Sequence, residues 1–200
     1  MKIIPVIHLQ KRKIFDHHNG KNIDLEQILS EIKENKELYL LDWDALEKSR
    51  PNLCIYQRFS SIFNLWVDSG VQTMGDTVDV LTAGAEKLVF RRKIWPSLNF
   101  KDIKEITDNE IYNKIEFGKH VGNRFEIPTH NDVDGLVIME SRRELEEDYK
   151  AINLLKTLAE KQKIFCYENN SDNVRYWEDR DIKGLLVDFK DFKRIKKYGD

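Results

Sequence analysis

Residues 65–91, LWVDSGVQTMGDTVDVLTAGAEKLVFR, constrain the fold more than any other part of the chain. An apolar run over 65–68 ends in a carboxylate, Asp68. Ser69, Gly70, Val71 and Gln72 supply a tight turn, and Val78, Leu81 and Ala85 then recur at helical spacing. Gly84 marks the end of that helix, and 87–90 is the next apolar run. Strand, crossover helix and strand in so short a span make one βαβ unit, whose two strands must be parallel.

The pattern recurs along the chain. Apolar segments suited to strands fall at 2–9, 38–41, 65–68, 87–90, 113–117, 135–139, 163–167 and 184–187. The first is apolar on both faces, as a buried parallel sheet requires. Helices are expected at 25–34 behind Asp24 as N-cap, at 53–62 after Pro51, at 100–107 with Asp102 in its first turn, at 174–179 and at 189–198. The longest is expected at 143–161, with Leu145, Tyr149, Ile152, Leu155 and Leu158 along one stripe. Residues 10–22 are polar and could hold a small hairpin or loop; 125–131, with Pro128, is loop-like. Eight strands alternating with helices fit a closed barrel or a doubly wound open sheet. The Gly-rich fingerprint of the open sheet does not follow Leu9. The expectation is therefore an α/β chain: a compact (β/α)8 TIM barrel with shortened helices and C-terminus, one domain over 1–200.

Composition narrows the partners. The chain has 33 Lys and Arg against 35 Asp and Glu, interleaved, so neither nucleic acid nor a membrane surface is an expected partner. No apolar run is long enough to span a bilayer. The opening MKIIPVIHLQKRK lacks a cleavage site, which makes a cytoplasmic location the expectation. Cys54 and Cys166 have no metal or redox spacing and are expected as buried, inert thiols. Trp43, Trp66, Trp95 and Trp177 are expected in packing rather than as stacking platforms.

Three stretches carry a family resemblance: Ile3-Ile4-Pro5-Val6-Ile7-His8-Leu9; Leu41-Asp42-Trp43-Asp44-Ala45; and Val67-Asp68-Ser69-Gly70-Val71-Gln72, followed by Thr82-Ala83-Gly84-Ala85 and Leu88-Val89. In order and spacing they resemble the first, second and third-to-fourth strand motifs of the HisA/HisF histidine-biosynthesis barrels. The second half of the chain is similar in pattern rather than in motif. The resemblance implies an isomerase ancestry, an Amadori rearrangement of an aminoaldose phosphate. Such chemistry needs a general acid and a general base on either side of the sugar carbon. The family places carboxylates for this at the ends of strands one and five. Here His8 stands at the first position, and Glu116 or Phe117 at the second. His8 could act as a base near neutral pH.

The turns that would bind phosphate in such a family are altered. Gly70 alone remains of three glycines after the third strand, and Gln72 replaces an Arg. The fourth, seventh and eighth strands end in Phe90-Arg91-Arg92, Tyr167-Glu168-Asn169-Asn170 and Val187-Asp188-Phe189, without the expected glycines. By duplication of half-barrels, Asp68 and Glu168 would be counterparts. The strand ends thus predict a mouth rimmed by acids, with Arg91, Arg92, Lys119, Arg142 and Arg143 nearby. The alternative is that these charges pair with one another and close the mouth.

Candidate catalytic residues are His8, Glu116, Asp42 and Asp68. Candidate substrate-binding residues are Gly70, Gln72, Arg91, Glu140, Glu168 and Asp188. No cofactor and no metal is expected. His17-His18 is expected as a solvated loop pair, and His120 and His130, with Asp132 and Asp134, have spacing that does not demand a metal. Two functions are open at this point. One is an enzyme using acid/base isomerisation or aldol-type chemistry on a small, polar, sugar-derived compound or cofactor precursor. The other is a non-catalytic barrel acting as a homodimer or as partner of a catalytic homologue. The short helix over 191–198 could leave a docking face on the last strand.

Overall fold

The computed structural model of the chain describes residues 1–32, 34–117 and 132–199. Its strands are β1 (Lys2–Gln10), β2 (Lys13–Phe15), β3 (Glu37–Asp42), β4 (Asn64–Asp68), β5 (Lys87–Phe90), β6 (Glu110–Ile115), β7 (Gly135–Ile138), β8 (Ile164–Tyr167) and β9 (Gly184–Asp188). From β3 to β9 each strand pairs in parallel with the next, and β1 pairs in parallel with both β3 and β9. Those eight strands therefore form a closed parallel barrel. Strand β2 lies outside the ring, antiparallel to β1.

The segments predicted as strands all enter the ring because both faces of each are buried. Along every strand alternate residues face opposite ways. Ile4, Val6, Tyr39, Leu41, Trp66, Val89, Tyr112, Val137, Phe165 and Leu186 form one cluster, which fills the barrel. Ile7, Leu9, Leu40, Val67, Leu88, Phe90, Leu136, Ile164 and Val187 belong to a second cluster, which packs against the helices. Trp66 is the centre of the filling, with ring centroids 4.3 Å from Tyr112 and 4.9 Å from Phe165. Beneath it Lys87 lies 4.6 Å over the indole and pairs with Glu37 at 2.7 Å and Glu110 at 3.1 Å. This ion set closes the N-terminal end of the barrel; nothing in the sequence pattern had singled it out.

Helices α1 (Leu25–Ile32), α3 (Leu53–Ser60), α4 (Met74–Thr82), α5 (Phe100–Ile106), α8 (Val174–Glu178) and α9 (Phe189–Gly199) fall where expected. Four details differ from expectation. Helix α2 (Trp43–Lys48) is additional, and begins because Asp42 caps it by accepting from the Asp44 and Ala45 amides. The long helix is two, α6 (Arg142–Glu146) and α7 (Tyr149–Ala159), because the Asp148 carboxylate caps the start of α7. Tyr149 is consequently exposed, and Ala151, Leu155 and Leu158 face the core. In α4, Val78 is exposed and Thr77 and Val80 are the buried pair. Cys54 is exposed, since α3 turns Tyr56 and Phe59 inward instead; Cys166 is buried as expected.

Helix α9 packs against β9 and β1 through buried Phe189, Phe192 and Ile195. All five β9 residues are buried, so the last strand offers no docking face of the kind expected. Among the described residues no helix is long and apolar enough to cross a membrane.

The β1–β2 hairpin turns on Lys11 and Arg12, both with positive φ (52° and 60°). That is the pattern of a type I′ turn, which favours Asn-Gly. The Asp44 carboxylate holds both strained amides, at 2.9 and 2.8 Å. Replacing the turn residues, Lys11→Asn with Arg12→Gly, should raise unfolding free energy by about 1 kcal/mol, because a left-handed non-glycine residue costs roughly that much. Chemical denaturation checks this; an unchanged or lower midpoint would contradict the turn assignment.

Candidate functional site

Strand alternation decides which strand-end residues face the axis. On β1 the inward series Ile4, Val6 ends in His8. On β4 it ends in Asp68, on β6 in Lys114, on β8 in Tyr167 and on β9 in Asp188. Arg91, one residue past β5, continues the series of Val89. These groups occupy the C-terminal end of the barrel, the end that carries active sites in this architecture.

Two clusters result. In the first, His8 Nε2 lies 2.9 Å from Asp188 Oδ1, and the indole Nε1–H of Trp43 lies 3.3 Å from His8 Nδ1. An indole nitrogen can only donate, so Nδ1 is the acceptor and Nε2 carries the proton given to Asp188. Tyr167 Oη at 2.6 Å and Asn169 Nδ2 at 2.8 Å donate to Asp188 Oδ2. Burial pushes the Asp188 carboxyl up, but the bonds from His8, Tyr167 and Asn169 outweigh it and hold it below the usual carboxylate range.

The His17-His18 pair lies in an exposed loop, as expected, yet both rings reach this cluster. Asp16 ties the loop by accepting from the His18 amide and the Asn19 side chain. The His17 ring stacks 4.8 Å from His8 and lies parallel to Trp43. Burial, then the neighbouring His8, hold the His17 imidazole below its ordinary value. His18 Nε2 reaches Asp188 Oδ2 at 3.0 Å and Asp191 at 3.5 Å, while half its side chain stays in solvent. Adjacent histidines do point in different directions, but here both directions lead to the mouth.

The second cluster is Asp68, Arg91 and Lys114. Arg91 donates to both Asp68 oxygens, at 2.8 and 2.7 Å, and Tyr39 Oη adds a third bond at 2.9 Å. Asp68 is wholly buried; burial raises its carboxyl, and the Arg91 guanidinium more than reverses this, leaving it low. Lys114 has no such partner: among the described residues its one ion pair is with Glu116, at 4.0 Å. Glu116 lies beyond the end of β6, is nearly half exposed and also meets Lys93 at 3.3 Å. The neighbouring Phe117 is buried and only its amide is in use, donated to Glu140. Burial raises the Glu140 carboxyl, and its second oxygen is buried without a hydrogen-bond partner.

Other expected site residues stand apart. Asp42 follows inward-facing Leu41 and so points outward. There it caps α2 and binds the Asn52 amide and side chain and the Tyr56 hydroxyl. Glu168 follows inward-facing Tyr167 and likewise points outward. It accepts from the Asn170 amide, Asn173 and Trp177. Tyr167, not Glu168, is therefore the positional counterpart of Asp68. Gly70 keeps a positive φ of 62°, and a Cβ there would meet Leu46 at 2.6 Å. The Gln72 and Thr73 amides both donate to Asp76 Oδ2 at 3.0 Å. Lys119, His120 and His130 lie outside the described residues. Among the described residues, no group of three or more His, Cys, Asp or Glu is placed to hold a metal ion.

Comparison of the sequence with protein-family models finds none that matches, and comparison with curated proteins finds no match. The class supported by the fold is accordingly a closed eight-stranded parallel barrel, TIM-like, with one additional strand outside the ring.

Both Asp68 and Asp188 titrate lower in the folded chain than in the unfolded one. The stabilisation they give is complete above the unfolded value near 4 and is lost as pH falls through the lower folded values. The melting temperature should thus fall progressively below about pH 4. Arg91→Met, which leaves a buried charge unpaired, should cost about 3–5 kcal/mol at neutral pH. Much of that loss should return in the double variant with Asp68→Asn. A double variant as unstable as the single one would remove the pair from the account of the mouth.

Proposed function

We propose that the protein is a barrel enzyme that moves protons on a small, polar, sugar-derived or cofactor-precursor substrate, in isomerisation or aldol-type chemistry, with His8 as the proton-transfer group. The observation that carries this is the His8–Asp188 pair at the strand ends, 2.9 Å apart and buried. Asp188 accepts Nε2–H and leaves the lone pair on Nδ1, so Nδ1 is the atom that takes a proton from substrate. When it does, the imidazolium faces a carboxylate that is already ionised. The long 3.3 Å contact from Trp43 is the one bond a substrate must displace to reach Nδ1.

The resemblance of residues 3–9, 41–45 and 67–72 to HisA/HisF barrels supports descent from an isomerase. The altered turns argue for a different substrate. The Gln72 and Thr73 amides are occupied by Asp76, and Arg91 is committed to Asp68, so the places where phosphate would bind are filled from within the chain.

A second reading, a non-catalytic barrel acting through a second copy or a catalytic homologue, draws on one observation. Asp68 and Asp188, the two acids that face the axis, are each satisfied by groups of the chain itself. That is the pairing expected of a closed mouth.

The two readings separate by exchange of the proton next to the carbonyl carbon, followed by NMR in deuterated water with small hydroxyaldehydes and hydroxyketones. The enzyme reading expects catalysed exchange, falling about 100-fold or more in His8→Asn while circular dichroism shows the chain still folded. No exchange with any such carbonyl, or equal exchange in His8→Asn, would favour the non-catalytic barrel. Complementation of a strain lacking the histidine-pathway isomerase is expected to fail; success would overturn the account of the phosphate turns.

A further inference from the structure

Among the described residues, the cation in the mouth that lacks a close carboxylate is a primary amine. Lys114 points to the barrel axis from β6, the fifth strand of the ring counted from β1, and so stands across the mouth from His8. Its side chain is only 10% exposed, yet the nearest carboxylate oxygen in an ion pair with it is 4.0 Å away. A buried ammonium normally obtains a close carboxylate, as Lys87 does at the other end of this barrel with Glu37 at 2.7 Å. At the mouth the obvious carboxylate, Asp68, is already held at two points by Arg91.

The charged groups facing Lys114 are Asp68 from β4, Arg91 after β5, Glu116 after β6 and Glu140 after β7. Arg91 is a second cation in the same enclosure, which disfavours the ammonium form further. Burial, with Arg91 adding to it, brings the Lys114 amine below the ordinary lysine value despite the nearby carboxylates. Desolvation beside another cation is a recognised way to make a lysine nucleophilic.

We propose that Lys114 is a nucleophilic amine that forms an imine with the carbonyl carbon of a small aldehyde or ketone in the barrel mouth. This rests on the proton-transfer role given to His8. The free amine adds to the carbonyl carbon, forming the C–N bond, and the C=O electron pair passes to oxygen. Loss of that oxygen as water gives the iminium. Overall, one ammonium and one carbonyl yield one iminium and one water, with no net change in protons. The iminium withdraws the electron pair of the adjacent C–H bond, and His8 Nδ1 accepts that proton from the opposite side of the mouth. The substrate class is therefore a carbonyl compound with an acidifiable neighbouring C–H.

The test uses the full chain with glycolaldehyde or dihydroxyacetone as probe and cyanoborohydride as trap, read by intact mass and peptide mapping at pH 7. Lys114 should acquire the reduced adduct severalfold faster than any other lysine, since burial beside Arg91 leaves more of its amine unprotonated. Lys114→Arg keeps the positive charge opposite Asp68 and Glu116, and should abolish the fast adduct with the melting temperature retained. Labelling spread over exposed lysines, with Lys114 no faster than the rest, would overturn the proposal. So would a fast adduct that survives in Lys114→Arg. His8→Asn distinguishes the two assignments: it should keep the Lys114 adduct and lose proton exchange. Exchange without a Lys114 adduct removes the imine and leaves His8. An adduct with no exchange, even in the unmodified chain, retains Lys114 and removes the role of His8.

Discussion

Closing eight short strands into a ring creates an interior that must be filled, and most of this molecule follows from how that is done. Parallel strands four to nine residues long have two faces each, and the ring turns one of them permanently away from solvent. Large side chains suit the task. Trp66, Tyr39, Tyr112 and Phe165 fill the middle layer from four different strands. With the centre so occupied, charged groups are confined to two end layers. There they have too little water to stand alone, and each requires a partner from a neighbouring strand.

The two ends meet that requirement differently. At the N-terminal end Lys87 sits between Glu37 and Glu110, and the indole of Trp66 takes up its remaining face. Among the described residues, each charge of this set has a close partner. At the C-terminal end Asp68 takes Arg91, and Asp188 gathers His8, His18, Tyr167 and Asn169. This leaves Lys114 with a distant partner and His8 with one loosely held nitrogen. The first end is closed by strong pairing. At the second, Lys114 lacks a close carboxylate and His8 Nδ1 keeps only a long contact, and the proposed function draws on this asymmetry.

Much of the fold was legible because buried parallel strands are apolar on both faces, a pattern that survives without any motif. The limits were local. Asp42 and Glu168 were read as facing the mouth because both end a strand, but a shift of one residue reverses the direction of a side chain. Only the register of Leu41 and Tyr167 shows that both acids turn outward. The break between α6 and α7 was hidden because Leu145, Leu155 and Leu158 keep helical spacing across it, and the cap at Asp148 weighs little in a periodicity. His17 and His18 could not be placed because their position depends on the β1–β2 hairpin folding back over the mouth. Lys114 gives no signal in the sequence because a lysine within a weak strand looks like solvent-facing charge. Its inward direction follows from Tyr112, two residues earlier, being in the core.

The acids that crowd the strand ends act mainly on the loops. Asp42 binds the Asp44, Ala45 and Asn52 amides, Asp44 binds the Lys11 and Arg12 amides, and Asp76 binds those of Gln72 and Thr73. Glu168 does the same for Asn170, and Glu144 for Ser141. In a barrel with Gly-rich turns, free amides of this kind are what an external phosphate would bind. Here the chain supplies the anion itself, from a side chain whose position costs no ligand. Loops stapled in this way gain rigidity and lose their affinity for an outside anion. On the proposed function, a substrate would be recognised by something other than these backbone amides. An amine, an imidazole and the aromatic faces of Trp43 and His17 would then be the groups that meet it.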